Sequence, residues 1–272
     1  MVRSDDIRNA VKELSLSGRP LCLHASLRSF GSIEGGAATL VDALLTEGCT
    51  VMSPSFSYEF EVPPPRSGRP ERNGIDYDSA KFATSRMGRA FDPTCNEYSA
   101  AEMGRLPGIL LEWPGRVRGR HGLNSFTAVG PRAHELVDSQ SPTNVYAPLK
   151  KLTGADGAVV LMGVDLTTMT LLHLAEQRAG RQLFVRWSNG PGRPPVRSRV
   201  GSCSRGFGHL GPFVGPLSSR VPVGTSQWVA YPARATATEA ARAIKLNPQM
   251  THCGDPSCLR CRDAIAGGPL SG

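Results

Sequence analysis

The sequence of 272 residues has no long apolar segment and no secretory signal. A membrane-spanning helix needs roughly 20 consecutive apolar residues, and no run of that kind occurs. The N-terminal stretch MVRSDDIRNAVKELSLSG has no apolar core of a signal peptide. We therefore expect a cytoplasmic protein with no membrane partner.

Aromatic residues and nucleotide-binding motifs are also scarce. Phe, Trp and Tyr make up 6% of the chain, and neither G-x-G-x-x-G nor GxxxxGK[ST] is present. A formal net charge of +8 is compatible with an anionic partner, and equally with a charged, solubilising surface. Because no nucleic-acid motif occurs and Lys and Arg are spread along the chain, we expect no nucleic-acid partner.

Apolar segments alternate with Gly- and Pro-rich turns, which predicts an α/β protein with parallel strand pairs. We predict strands at 20–23, 50–52, 126–129, 158–163 and near 221 and 228, and helices at 4–17, 35–45, 99–112, 131–137 and 235–244. Residues 193–211 are interpreted as turns. Residues 59–89 are rich in Pro, Gly and charge, which predicts a long functional or disordered loop.

The segment LMGVDLTTMTLLHLAEQRAGR, residues 161–181, joins a buried strand to a helix that carries His173 and Glu176. Residues three apart share one helix face, and open α/β sheets bind ligands beyond the carboxyl ends of their strands. A carboxylate can orient a histidine and stabilise its protonated form, so the pair resembles a general base with its orienting group. A solvated helix face would show the same spacing, but the position after a strand favours the base.

Polar side chains also follow the first predicted strand, and basic side chains precede the strand predicted at 126–129. His24, Ser26 and Arg28 come just before a Gly-rich turn whose amides could hold an anion. Three arginines precede His121 in the segment RVRGRHGLNSFTAVG, residues 116–130, where they could pair with phosphates. A simple turn and a solvated basic loop are the alternatives.

The cysteines form a pattern that is compatible with a metal site. Seven is an odd number, which argues against a disulfide framework. Cys253, Cys258 and Cys261 form C-x4-C-x2-C, and Cys203 lies upstream. Four thiolates are a common ligand set for structural Zn²⁺; free thiols are the alternative. Zinc would cross-link the tail that carries Cys253, Cys258 and Cys261 to the Cys203 loop, within a C-terminal subregion of residues 200–272.

Several segments together resemble the aminoglycoside 3-N-acetyltransferase family. They are HASLRSFG, FDP at residues 91–93, RHGLNSFTAVGP, SPTNVYAPL, LMGVDLTTMTLLHLAEQRAG and VGPLSSRV, in the order of the family. The resemblance implies a three-layer α/β/α sandwich around a mixed sheet, with residues 1–272 as one domain. It also implies acetyl-CoA as donor and a primary amine of an aminoglycoside as acceptor, bound by a monomer or homodimer.

The resemblance assigns roles residue by residue. His173 is implied as the general base, with Glu176 and His121 beside it as further catalytic residues. The implied donor site comprises His24, Ser26, Leu27, Arg28, Ser125 and Phe126. Tyr146 is expected to contact the acceptor. Gly122 and Met169 depart from the pattern of the family, so another amine of secondary metabolism is the alternative acceptor, and a basic zinc protein that binds nucleic acid is the third hypothesis.

A polycationic acceptor needs an acidic surface in a protein of charge +8. The 59–89 loop is expected to supply one wall of the acceptor pocket, through Glu59, Glu61, Glu71, Asp76 and Asp78. Asp92 and Glu97 are candidates as well. We expect direct acyl transfer, in which the amine attacks the thioester, His173 takes the proton and backbone amides stabilise the oxyanion.

Overall fold

A computed structural model describes residues 1–80, 89–190 and 193–270, with only the backbone of Arg193. The described strands are β1 Pro20–Ala25, β2 Thr50–Pro54, β3 Glu61–Val62, β4 Val117–Arg118, β5 Phe126–Val129, β6 Ala158–Met162, β7 Phe184–Gly190, β8 Arg193–Val200, β9 Ser219–Val223 and β10 Ser226–Pro232. The described α-helices are α1 Ser4–Glu13, α2 Ala38–Thr46, α3 Ala100–Met103, α4 Leu106–Glu112, α5 Ala133–Val137, α6 Ala147–Gly154, α7 Leu171–Arg178, α8 Gly211–Val214, α9 Ala233–Leu246 and α10 Leu259–Ile265. Within these ranges no helix has the length and apolar character to cross a membrane.

A seven-stranded mixed sheet forms the centre of the fold, in the order β4-β5-β2-β1-β6-β10-β9. The central strand β1 pairs in parallel with β2 and β6, as the strand–helix–strand pattern predicted. The remaining pairs are antiparallel. The predicted mixed α/β architecture is confirmed.

The two faces of this sheet bury separate apolar cores, which makes the structure three-layered. Along β1 the side chains alternate, so that Leu21 and Leu23 face one core and Cys22 faces the other. Helices α1, α2 and α4 cover the first face. Helices α5, α6, α7 and α9 cover the second.

A second, smaller sheet has the order β3-β7-β8, and the sequence analysis was wrong about part of it. Residues 193–200 form β8, whereas a turn-rich segment was predicted. The strand RPPVRSRV has two prolines and little apolar alternation, and it lies at the edge of its sheet, where proline is tolerated. The sheet extends the molecule beside the carboxyl ends of β1 and β6, where it forms one wall of a cleft.

The predicted helix at 99–112 is divided. It consists of α3 and α4, separated at Gly104, whose φ of +72° is a left-handed conformation that ends the first helix. The predicted 59–89 loop contains β3 and two 3₁₀ turns up to residue 80. Its residues 81–88 lie outside the described part of the chain.

A close backbone contact fixes the carboxyl end of β6 beside that of β1. Gly163 follows β6 with φ +66°, and a Cβ atom there would overlap the Ser29 Oγ. That hydroxyl donates to the Ser26 carbonyl at 2.7 Å, in the turn that follows β1. Only glycine therefore lets the two strand ends approach in this way.

We expect Gly163→Ala to lower the free energy of unfolding by about 2–4 kcal/mol, because the methyl group would overlap Ser29 and the backbone is left-handed. Gly18→Ala is the matched control, since Gly18 has φ +72° but open space around its Cβ position. It should lose only about 1 kcal/mol. Urea denaturation measures both; equal losses would show that the close contact contributes nothing.

Candidate active site

A cleft of about 980 Å³ opens beside the carboxyl ends of β1 and β2 and the turn after β6. One wall is formed by residues 24–28, residues 100–107 and residues 167–170. A different wall is formed by residues 200–205 together with Tyr58, Arg186 and Arg260. The volume is that of a site for a large cofactor or ligand.

His173 and Glu176 meet on α7, as their spacing predicted. The Nδ1 atom of His173 lies 2.8 Å from Oε2 of Glu176. The imidazole stacks on Tyr146, with ring centroids 6.0 Å apart and planes 7° apart, and meets the edge of Phe207 at 4.8 Å. His173 lines the cleft. Because Nδ1 is engaged, Nε2 is the nitrogen that can exchange a proton with a ligand.

The Glu176 carboxylate is buried and receives donors from three parts of the chain. Ser202 donates its hydroxyl to Oε2 at 2.7 Å, and Arg181 donates to Oε1. Burial alone would raise the pKa of Glu176, but the hydrogen bond from His173, the nearby positive charges and the Ser202 hydroxyl outweigh it, so the pKa is lowered. The group is therefore a carboxylate at neutral pH.

Arg181 is itself held by the segment that precedes the C-terminal cysteines. Its guanidinium donates to the Thr251 hydroxyl at 2.7 Å and to the Pro248 carbonyl at 2.6 Å. Ser202 is adjacent to Cys203 in the chain. Both oxygens of Glu176 are thus positioned by the segments that carry the cysteines.

His121 is fully buried, and both of its ring nitrogens have backbone partners. Its Nε2 lies 2.8 Å from the Arg199 carbonyl, and its Nδ1 accepts from the amide of Asn124 at 2.9 Å. Burial lowers the pKa of His121 to about 4, so the imidazole is neutral. The cleft lining does not include it. This geometry gives His121 the role of holding the loop that presents Asn124 to the cleft.

The structure separates the residues that were expected to bind the donor. His24, Ser26, Leu27 and Arg28 all line the cleft. Burial lowers the pKa of His24 to about 4, so this imidazole is uncharged. Ser125 and Phe126, in contrast, lie behind the cleft.

Their positions follow from their contacts. The hydroxyl of Ser125 donates to the Ser55 carbonyl at 2.9 Å and accepts from Arg118 at 3.0 Å. The ring of Phe126 packs in the core, edge-on to Phe56 at 5.9 Å. The structure does not bring these two side chains to the expected donor site, because Ser125 is hydrogen-bonded in the interior and Phe126 packs in the core.

The arginine cluster before His121 is mainly structural, whereas phosphate binding was one interpretation of it. Arg118 is 5% exposed and donates to the carbonyls of Ser55, Cys95 and Glu97 at 2.9–3.1 Å. Its guanidinium also lies over the Phe91 ring, 4.9 Å from the centroid. Arg116 likewise donates to backbone carbonyls.

The acidic wall expected from the 59–89 loop is largely missing from the described residues. Glu61 lines the cleft. Glu59 instead accepts from the Ser99 hydroxyl at 2.8 Å, and Asp76 accepts from Ser79 in its own turn. Asp78, Glu71, Asp92 and Glu97 also lie outside the cleft lining. The described charged residues of the lining are two glutamates, Glu61 and Glu102, and five arginines, Arg28, Arg105, Arg186, Arg205 and Arg260.

Four cysteines converge at one end of the cleft. The Sγ atoms of Cys203, Cys253, Cys258 and Cys261 all lie within 4.8 Å of one another. Sulfur atoms around tetrahedral zinc lie about 3.8 Å apart, given Zn–S bonds of about 2.3 Å. The nearby sulfurs of Cys203 and Cys258 raise the pKa of the Arg205 guanidinium. The donor set and its spacing fit a structural metal ion, and Cys203 and Cys258 also line the cleft.

Comparison with known proteins agrees with the fold. The family model described as Aminoglycoside 3-N-acetyltransferase matches residues 22–197. This chain belongs to that family. Its sequence is 34% identical over 173 residues to aminoglycoside N(3)-acetyltransferase VIII of Streptomyces fradiae, covering 60% of this chain and 56% of the relative.

A second relative is aminoglycoside N(3)-acetyltransferase IX of Micromonospora chalcea, which is 34% identical over 182 residues. The matched residues make up 64% of this chain and 61% of the relative. The matched part thus spans less than two thirds of the length of these relatives. The structure of AAC(3)-IVa shares the fold, with a TM-score of 0.76, 22% identity and 98% of each chain covered. Related folds have been solved for AAC(3)-IVa with a gentamicin and for AAC-IIIb with CoASH, the latter at a TM-score of 0.72, 20% identity and coverage of 90% of this chain and 96% of that one.

We expect Arg118→Met to lower the free energy of unfolding by about 3 kcal/mol, because several buried carbonyls would lose their donor at once. The matched control is Arg120→Met, since Arg120 is exposed two residues away, and it should change stability by less than about 0.5 kcal/mol. Thermal and urea unfolding measure both variants. A small effect at Arg118 would mean that water replaces the guanidinium.

Proposed function

We propose that this chain is an acetyl-CoA-dependent N-acetyltransferase that modifies the 3-amino group of an aminoglycoside, with His173 as general base. The observation that carries the proposal is the His173–Glu176 pair, bonded at 2.8 Å and facing a cleft of about 980 Å³. The names of the relatives supply the acceptor class, and the related structure with CoASH supports the donor.

The reaction is a direct transfer between two bound substrates. The neutral amine attacks the thioester carbonyl, and Nε2 of His173 takes the amine proton. Glu176 stabilises the resulting imidazolium through Nδ1. When the tetrahedral intermediate collapses, the C–S bond breaks and the proton passes to the leaving thiolate, which yields the acetylated amine and CoA.

The donor is proposed to bind along the wall formed by residues 24–28 and 100–107. Arg28 and Arg105 are exposed on this wall and can pair with the phosphates of CoA. Backbone amides of the turn after β1 are proposed to stabilise the oxyanion. Tyr146 contributes to the acceptor side, where its ring stacks on His173.

We expect His173→Ala to lower kcat by at least about 10²-fold, because the amine would lose its base. Glu176→Gln keeps the size of the side chain but removes the charge that stabilises the imidazolium, and it should also lower kcat. Release of the CoA thiol from acetyl-CoA, with a panel of aminoglycosides, measures the rate.

His134→Ala is the control, because His134 is an exposed histidine on α5 that pairs with Asp138. It should leave the rate unchanged. Calorimetric titration should show that His173→Ala still binds CoA. Full turnover by His173→Ala would contradict the assignment of the base.

Acetylation of a different amine is the second candidate function, and the composition of the cleft favours it. The described lining of the whole cleft holds five arginines and two glutamates, and this excess of positive charge does not favour a polycationic aminoglycoside. Met169, which departs from the pattern of the family, is buried at the same cleft. CoA binding without turnover on any aminoglycoside would support this candidate.

A structural zinc ion is also proposed, held by Cys203, Cys253, Cys258 and Cys261. The metal would supply no chemistry to the transfer. It would cross-link the loop after β8 to the segment that follows α9 and to the first turn of α10. This cross-link would fix Ser202, which donates to Glu176, and Thr251, which accepts from the Arg181 guanidinium that also donates to Glu176.

We expect the purified protein to contain about one zinc ion per chain, since a closed four-thiolate site binds zinc tightly. Removal by a chelator should lower the melting temperature and expose four additional thiols to a thiol reagent. Cys258→Ser should lose the metal, whereas Cys95→Ser, at a cysteine outside the cluster, should retain it. A metal-free protein with unchanged melting would exclude the site.

A further inference from the structure

Outside the wall that is proposed for the donor, the cleft carries more positive than negative charge. Arg186, Arg205 and Arg260 lie there, together with Glu61. Arg205 pairs with Asp255, 3.5 Å away. The charge that faces the acceptor therefore comes from the other two arginines.

Arg186 is a buried cation whose positive charge is only partly balanced by the groups around it. Its guanidinium donates to the carbonyls of Asn73 and Val185 at 3.1 and 2.8 Å, and lies 3.7 Å from the Glu61 carboxylate. Burial first, and then the charge of Arg260, lower the pKa of Arg186. The positive charge of Arg260 thus acts on a buried cation that lines the same cleft, and a bound anion would offset this repulsion.

Arg260 is the cation that is available to a ligand. It lies at the start of α10, is exposed and lines the cleft. It has no hydrogen bond or ion pair to another residue in the described ranges. Its charge acts on Tyr58 and Tyr146 as well as on Arg186. Arg260 and His173 line the same cleft, and Tyr146, which stacks on His173, lines it as well.

We infer that the acceptor is an amine that also carries an anionic group, a phosphate or a carboxylate, which Arg260 binds while the amine lies at His173. The inference rests on the proposed acetyl transfer and narrows its substrate class to an amino sugar with an acidic substituent. A planar guanidinium pairs with a phosphate or carboxylate through two parallel hydrogen bonds. Arg28 and Arg105, on the other wall, remain available to pair with the phosphates of the donor.

The test compares acceptors that differ only in a phosphate: glucosamine with glucosamine 6-phosphate, and kanamycin with an O-phosphorylated kanamycin. We expect kcat/KM, followed by thiol release from acetyl-CoA, to be about tenfold or more higher for the phosphorylated member of a pair. Arg260→Gln should abolish this preference, and Arg260→Lys should keep part of it.

The matched control is Arg262→Gln, on the same helix. The Arg262 side chain is 67% exposed and pairs with Asp263, and it does not line the cleft. This variant should retain the preference for the phosphate. Melting curves confirm that the variants are folded.

Three outcomes would overturn the inference. The member without the phosphate could be the better acceptor in both pairs. Arg260→Gln could leave the preference unchanged. It could also raise KM for acetyl-CoA alone, which would assign Arg260 to the donor phosphates.

The proposed function is judged separately, by whether any amine is acetylated. If none is, titration calorimetry with glucosamine and glucosamine 6-phosphate still decides the role of Arg260. Binding of glucosamine 6-phosphate but not of glucosamine would support an anion site at Arg260, provided that Arg260→Gln weakens this binding at least about tenfold. Equal binding of both sugars would exclude it.

Discussion

The buried carboxylate of Glu176 is the group on which the arrangement of the site depends. An ionised side chain in the interior is tolerated only when other groups compensate its charge. Here the compensation comes from His173 on the same helix, from Ser202 after β8 and from Arg181 before β7. The imidazole therefore takes its orientation from tertiary structure, and the helix supplies only the spacing.

Much of the central sheet could be predicted because its strands are short apolar runs between glycine-rich turns. The residues of β1, β5 and β6 were located closely from that pattern. The β8 strand could not be, since its prolines and arginines are tolerated only because it is an edge strand. The break at Gly104 was missed because a single glycine in a helical pattern does not reveal its φ angle.

At the site, spacing and family resemblance located His173, Glu176 and the turn at 24–28. Sequence could not show which charged residues face the cleft, because that depends on how the second sheet and α10 pack beside it. Arg118 and Arg181 were missed as buried groups, since arginine is normally exposed. Arg186 and Arg260 were missed because no local pattern distinguishes them from other arginines, and only the packing of β7 and α10 brings them to the cleft.

The attachment of Arg181 to Thr251 and Pro248 also has a consequence for the order in which the molecule is completed during synthesis. A nascent chain emerges from its N-terminus onward, so α7 leaves the ribosome more than seventy residues before Thr251 does. Until then the Arg181 guanidinium lacks the Thr251 hydroxyl and the Pro248 carbonyl, which hold it beside Glu176 in the folded protein. The central sheet up to β6 can form early, whereas the geometry of the histidine–glutamate pair is established only near the end of translation.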